Sequence, residues 1–592
     1  MRTDGIAYGE LEEGRDCNYW ELDPTLRFEA RRVYPDDEFA WAEDVLSGYG
    51  EALGHRMADN SDRIDRAGHE LNAYDKYGNR RNEVEYHPLM EEQEAITYGE
   101  FGLTHDAFHA PPGREEPVGL THTLMMQALL SYVDSGFCCP VSMTTGAAIV
   151  LEKFDDGSLA EYFEGLTARD VDEHIEGAMF LTEEQGGSDV GANEVRAERT
   201  DEDGVYELYG EKWFCSNIDA QGALALARTP DAPGGVEGLS LFLVPRITPD
   251  GEVNDSHFRR LKDKLVTIAV PTGEIEFRCA EAYLIGEEER GFKYMAEMMN
   301  FERLTNATGA VGVMGRALLE AKVRAANREA FGDTIDRYPL LRRDLVDMAV
   351  DYEAAAVFSF EGARLLDERE RVGDDSDAYR LMRLLIPVAK YKTARMAVET
   401  TSYAMEILGG NGYVREHVTH RLLRDAQVLP IWEGPSNILS LDVLRAFNRE
   451  SAHEALLPYL RGKLDGVEHP ALEKPNAETE ARFAELQTAL GTLATEDGDY
   501  AQYHAKRLAD LVFDVVTAAL LLEEAQWAID EEGDARKALV ATRFVDTRFT
   551  DAEAYGITSG ERFAMDDDIF ASIVNYASAE PETLLDAAPA DD

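Results

Sequence analysis

The carboxylate of Glu433 stands in "IWEGPSNI" (431–438), between Trp432 and Gly434 and just past the apolar run Val428–Leu429–Pro430–Ile431. Two tasks suit such a placement. A glutamate ahead of a turn can cap a helix. A carboxylate kept from water by apolar neighbours has its pKa raised and can take a proton from a weak carbon acid. A second stretch able to do chemistry is "TEEQGGSDV" (182–190). Its paired glycines Gly186 and Gly187 let the backbone approach a ligand closely, and Ser188 can donate to a phosphate. The same Gly-Gly-Ser-Asp sequence is also found in plain turns. His105 and His109 stand four apart and could share a helix face, but without an HExxH arrangement a structural role is expected for both, and no metal site.

The elements that must position these residues change texture twice along the chain. Residues 1–170 read as helical segments joined by polar loops, interrupted at 74–88 by "YDKYGNRRNEVEYHP", whose Gly78–Asn79 is a hairpin-like signal. From about 177 the runs shorten. "VYELYGEKWFCSN" (205–217), "ALALAR" (223–228), "LSLFLVP" (239–245) and "GEIEFR" (273–278) are bounded by Gly, Pro and Asp and predict strands of one β domain. From about 290 the helical period returns. Leu384, Val388, Tyr391, Val398 and Met405 share a face of a long helix expected to end at Gly409–Gly410. "GAVGVMG" (309–315) lies in a helical run, so its glycines point to close helix packing and not to a dinucleotide-binding turn. There is no P-loop and no GxSxG elbow.

A chain of 592 residues with 44% apolar residues is long enough for three or four cores. Its 58 basic and 115 acidic side chains give a net charge of −57, spread along the whole length. That surface fits the cytoplasm of a salt-loving organism, where salt screens the self-repulsion. The five cysteines (Cys17, Cys138, Cys139, Cys215, Cys279) form no ligand cluster, which suggests reduced thiols and an intracellular setting. The acidic N-terminus does not resemble a signal peptide, and no stretch is apolar for long enough to span a membrane.

The stretch 178–198 resembles the "TEPGAGSD" signature of the acyl-CoA dehydrogenases. "GEKWFCSN" (210–217), "REAFG" (328–332), "EILGGNGY" (406–413) and "RLLRDAQVLPIWEGPSNI" (421–438) resemble further motifs of that family, in its order. Residues 74–88, "CPVSMTTGAA" (139–148), "LKDKL" (261–265) and "IWEG" (431–434) are similar to the AidB-like branch of the alkylation response. The resemblance implies an α+β, mainly α fold. Its expected parts are an N-terminal helical domain (1–176), a middle β domain (177–285), a flavin-binding helical bundle (286–449) and an extra C-terminal helical region (450–592).

The resemblance also implies FAD as cofactor and an acyl-CoA thioester as substrate, whose α proton goes to a glutamate while hydride passes to flavin N5. It places Thr182 and Ser216 near the flavin ring, Phe214 packed against it, Ser188 at the pyrophosphate and Asn437 near the cofactor. Arg328, Phe331 and the Gly409–Gly410 turn would reach the FAD of a neighbouring subunit, which implies a homo-oligomer, typically a dimer of dimers. Glu433 matches the usual position of the base. Some branches take the base from the residue before an arginine on an earlier helix, which here is Glu302 before Arg303, so both base positions hold glutamate. Two carboxylates converging on one site would split their titrations, and the bland alternative has Glu302 paired and facing solvent. Arg303 is expected to anchor substrate or structure.

The AidB-like branch is associated with DNA binding through a basic C-terminal region and with little dehydrogenase activity. Residues 451–592 hold 11 basic and 30 acidic side chains, 11 − 30 = −19, a poor partner for phosphates. Only "RKALVATRFVDTRF" (536–549) gathers Arg536, Lys537, Arg543 and Arg548, a run expected to be a solvated helix face, and DNA is not expected as a partner.

Overall fold

The computed structural model describes residues 5–549 and 565–580; the end of the 450–592 region therefore lies partly outside the described residues. The chain divides into two compact units, Ala40–Thr305 and Met1–Phe39 together with Asn306–Asp592, with the division falling inside one long helix, Gly291–Asn327.

In the first unit, helices precede a β domain. The hairpin signal at Gly78 is realised as β1 (Glu70–Tyr74) and β2 (Arg80–Glu85), antiparallel, with Gly78 at φ +86° in the turn between them. Seven strands follow: β3 (Gly177–Phe180), β4 (Arg196–Arg199), β5 (Val205–Ser216), β6 (Gly222–Arg228), β7 (Leu239–Pro245), β8 (Ser256–Leu261) and β9 (Thr272–Ile285). Their pairings run β4–β5–β9–β7–β6 and return from β6 to β4, closing a ring, with β3 added on β6 and β8 on β9.

The sequence of β6, "GALALAR", shows how the ring is filled. Successive side chains of a strand point to opposite faces. Ala223, Ala225 and Ala227 enter one core with Phe242, Val244 and Phe277, while Leu224 and Leu226 enter another with Met143, Met295 and Met298. Small residues therefore fill the crowded ring interior, and leucines face the Ser135–Phe154 and Gly291–Asn327 helices. Both faces of β6 are buried, so its pattern alternates in size and not in polarity.

The second unit is built from long helices: Pro339–Val372, Asp377–Leu408, Ser436–Arg449 and Gly498–Trp527, with Pro24–Val33 joining from the N-terminal end. The Asp377–Leu408 helix ends as expected, with Gly409 at φ +66° as its cap. Leu384 and Val388 are buried, but Tyr391, Val398 and Met405 are only half-buried; the tightest packing lies at Ala389, Ala394, Ala397 and Ala404. "GAVGVMG" lies within the Gly291–Asn327 helix.

The 536–549 run departs from the expectation of a solvated face. Arg536, Lys537 and Arg543 are buried. Arg536 pairs with Glu353 at 2.6 Å, Lys537 with Glu353 at 2.8 Å and Glu524 at 2.9 Å, Arg543 with Asp347 at 2.8 Å, and Arg548 with Asp351 at 2.7 Å. All four cations are matched by acids from other helices, and each has at least one partner, Glu353, Asp347 or Asp351, from the distant Pro339–Val372 helix, beyond any local pattern.

No helix among the described residues is long and apolar enough to cross a membrane. The five cysteines are free thiols, and no group of His, Cys, Asp or Glu among the described residues is arranged to hold a metal. His105 instead meets Asp106, and His109 meets Thr167.

Candidate active site

In the first unit the glycine loop is clamped to the end of β5. Glu183 is buried and accepts from the backbone N–H of Glu194 at 2.6 Å and Val195 at 3.2 Å, and from Lys212 Nζ at 2.8 Å. Lys212 is fully buried; burial pushes its ammonium pKa down, and Glu183 works against that shift. Next to this pair the Trp213 N–H donates to the Thr182 carbonyl at 2.9 Å. The turn itself needs glycine. Gly186 sits at φ +129°, and a Cβ on Gly187 would lie 2.6 Å from Thr182 Oγ1. Thr182 is half-buried and Ser188 exposed.

The end of β5 presents an aromatic surface. Phe214 is 54% exposed, although strand alternation suggests plain core as readily as a ligand face. The Lys262 ammonium lies 4.0 Å from the Trp213 ring centre and 4.5 Å from that of Phe214, and is anchored to Glu274 at 2.7 Å. Ser216 Oγ is 3.0 Å from Thr272 Oγ1, which accepts from Lys264 Nζ at 3.0 Å. Thr182, Ser188, Phe214 and Ser216 are thus carried by one clamped loop and the strand it is bonded to. Glu302 and Arg303 sit on the Gly291–Asn327 helix, and both are buried, so Glu302 does not face solvent. A Cβ on Gly146 would lie 3.4 Å from Glu302 Oε1, so the glycine leaves room for that carboxylate.

The second unit carries the other candidates. Arg328 is exposed beside the two-residue hairpin β10 (Glu329–Ala330) and β11 (Asp333–Thr334). Phe331, at its tip, is 100% exposed with φ +53°, which disposes of a core role. Gly409 and Gly410 are exposed, and a Cβ on either would meet nothing within 4 Å. Asn437 is exposed in the first turn of Ser436–Arg449.

Glu433 is half-buried at φ +53°, followed by Gly434 at φ +103°. A non-glycine residue in the left-handed region costs on the order of 1 kcal/mol and persists where the surroundings impose it. Beside this turn lies Lys390, fully buried in the Asp377–Leu408 helix, whose ammonium donates to the carbonyls of Trp432 at 2.5 Å and Gly434 at 2.7 Å. Sequence reasoning missed both Lys390 and Lys212. The available signal for Lys390 was its place inside the apolar run Leu384–Tyr391, where a solvated lysine has no outlet.

Helices, then a β domain with a clamped glycine loop and an uncovered aromatic, then a bundle of long helices, define a flavin-dependent dehydrogenase. The profile of the acyl-CoA dehydrogenase middle domain matches residues 178–279, that of its C-terminal domain 289–447, and that of the adaptive response protein AidB N-terminal domain 11–173. Acyl-CoA dehydrogenase family member 11 of Caenorhabditis elegans is 32% identical, covering 86% of this chain and 84% of its own. The putative acyl-CoA dehydrogenase AidB of Escherichia coli K12 is 33% identical over 70% of this chain and 76% of its own. The crystal structure of C. elegans ACDH-11 in complex with C11-CoA superposes with a TM-score of 0.83 at 29% identity, covering 92% of this chain and 94% of that one. The chain belongs to the acyl-CoA dehydrogenase family, in its AidB-like branch, and is an FAD-dependent oxidoreductase.

The residues present fit FAD: an uncovered aromatic beside a lysine suits a planar ring, and the exposed Ser188 hydroxyl on a glycine turn suits a phosphate. The Glu183–Lys212 clamp leads to a prediction. Lys212→Met leaves a buried carboxylate without its cation, a loss of about 3 kcal/mol, and frees the 182–195 loop. The variant is expected to melt earlier and to lose FAD on dialysis, read from the flavin-to-protein absorbance ratio.

Proposed function

We propose that the chain oxidises an acyl-CoA thioester, with Glu433 as the base that removes the α proton. The observation that carries this reading is the backbone of Glu433, held left-handed beside a glycine in a partly buried segment. Bound FAD supplies the acceptor for the β hydrogen, taken as hydride. This chain's residues do the rest. Thr182 and Ser216 would border the ring, Phe214 would pack against it, Ser188 would hold the pyrophosphate and Asn437 would approach the cofactor. Ile431, an apolar neighbour suited to keeping water from Glu433, is instead 66% exposed, and Trp432 is half-buried; the dry setting in which the carboxylate meets a weak C–H acid would be completed by the bound substrate. Glu302 is the alternative base, and Arg303 anchors substrate. The C11-CoA complex of the C. elegans relative supports an acyl-CoA as the substrate class.

The functional unit in this proposal is a homo-oligomer, a dimer of dimers in which Arg328, Phe331 and the Gly409–Gly410 turn contact a neighbour's FAD. The full exposure of Phe331, with Leu340 and Tyr413 each 82% exposed, supports a surface that a second copy covers. The net charge of −57 supports a salt-rich cytoplasm as its setting.

The test is anaerobic mixing of the FAD-loaded protein, in high salt, with a panel of acyl-CoA thioesters. Bleaching of the flavin band by at least one of them is expected. Duplex DNA is expected to show no binding, because Arg536, Lys537, Arg543 and Arg548 are already paired with acids. A flavin untouched by every thioester, together with salt-sensitive DNA binding, would replace this reading with a DNA-associated flavoprotein.

A further inference from the structure

Lys390 bears on Glu433 more closely than any motif indicates. Its helix buries it completely, and its ammonium ties the carbonyl just before Glu433 to the carbonyl just after it. A buried lysine is tolerated only where its charge is met by acceptors. Here acceptors come from the two residues that flank the candidate base in the chain. The ammonium closes the left-handed Glu433–Gly434 turn from behind, which fixes where the Glu433 side chain departs from the backbone. A positive charge bonded to the carbonyls on either side of Glu433 also favours the ionised form of a carboxylate on the residue between them.

We propose that Lys390 is a positioning residue for Glu433, holding its backbone in the left-handed shape and keeping its carboxylate ready to accept a proton. The proposal rests on the reading of Glu433 as the base. A lysine that merely satisfied two buried carbonyls would contribute to stability and leave the titration of the base alone. The two roles therefore separate in a pH profile.

The experiment uses the full-length, FAD-loaded protein and the thioester that bleaches its flavin fastest, and follows anaerobic flavin reduction from pH 5 to 9. Glu433→Gln, Lys390→Met and Lys390→Arg are compared with the parent. Lys390→Met is expected to keep its FAD and to lower the rate of reduction by about 10²-fold, the scale set by small misplacement of a catalytic group. Half-saturation by the thioester should stay within about threefold, since a base acts on the bound substrate. The acidic limb should move up by about one pH unit, because removing a nearby cation makes a carboxylate hold its proton longer. Lys390→Arg, which keeps the charge, should return the limb to its parental place. If Lys390→Met does not fold, Lys390→Gln, an uncharged donor, must show the same shift of the limb. An unmoved limb in the uncharged variant, or a rate loss that only follows lost FAD, overturns the proposal while a silent Glu433→Gln leaves the base in place. Persistent reduction by Glu433→Gln overturns the reading of the base and, with it, the role given to Lys390.

Discussion

Glu433→Gln is expected to slow flavin reduction by acyl-CoA by about 10³-fold or more, within the range that a positioned general base supplies, while FAD content and melting temperature stay close to the parent's. Glutamine has nearly the same shape and can hold the same turn, so what is lost is the capacity to accept a proton. The expectation of unchanged folding follows from local geometry. Glu433 is half-buried, and Lys390 holds the segment through the backbone carbonyls of Trp432 and Gly434, which the substitution leaves in place. Glu302→Gln is the control. Glu302 is buried against Gly146 on the Gly291–Asn327 helix, and its neutral replacement is expected to cost less in rate. Should Glu302→Gln silence the flavin and Glu433→Gln leave it responsive, the base belongs to the earlier helix. Stopped-flow absorbance of the two variants decides between them.

Much of the fold was legible because its determinants are local. Strands β5, β6, β7 and β9 were marked by short apolar runs between turn formers, and the end of the Asp377–Leu408 helix by its glycines. The size alternation in "GALALAR" even holds the two-sided burial of β6, although that is apparent only once both neighbouring layers are known. Apolar residues that point outward were harder to read. Phe214 and Phe331 both suit a core, since nothing in composition distinguishes an aromatic buried by its own chain from one left for a ligand or a partner. Buried charge was the hardest. Lys212, Lys390, Arg536 and Lys537 are placed by partners 13 to 184 residues away, and a charged residue read with its neighbours alone belongs on the surface.

Glu353→Gln is expected to be among the most destabilising single changes in the second unit, costing about 3–5 kcal/mol at neutral pH. Glu353 meets Arg536 through both carboxylate oxygens, at 2.6 and 3.0 Å, and lies 2.8 Å from Lys537, with all three side chains buried. Burial alone would push the Glu353 carboxyl up; Arg536 and then Lys537 outweigh it and bring it down to about 2. A carboxyl depressed from 4.5 to about 2 adds stability that is complete above 4.5 and is lost as the pH falls through that window, about 3 kcal/mol in all. Glu29, in the same buried network, has the opposite sign. Burial and then Glu524 push it up to about 8, so its contribution is complete below 4.5 and fades as the pH rises toward 8. Thermal melts should therefore show the parent losing stability below pH 4.5, with Glu353→Gln flatter across that acid window. The cost in the variant comes from cations left without their anion, so removing a cation should return part of it. Glu353→Gln combined with Lys537→Met is expected to be more stable than the sum of the two single changes predicts, by 1 kcal/mol or more on the order of coupled pairs. Strict additivity would mean that the three groups do not act as one network, and that burial of their carbon stems, not their charges, holds the 536–549 helix against Pro339–Val372.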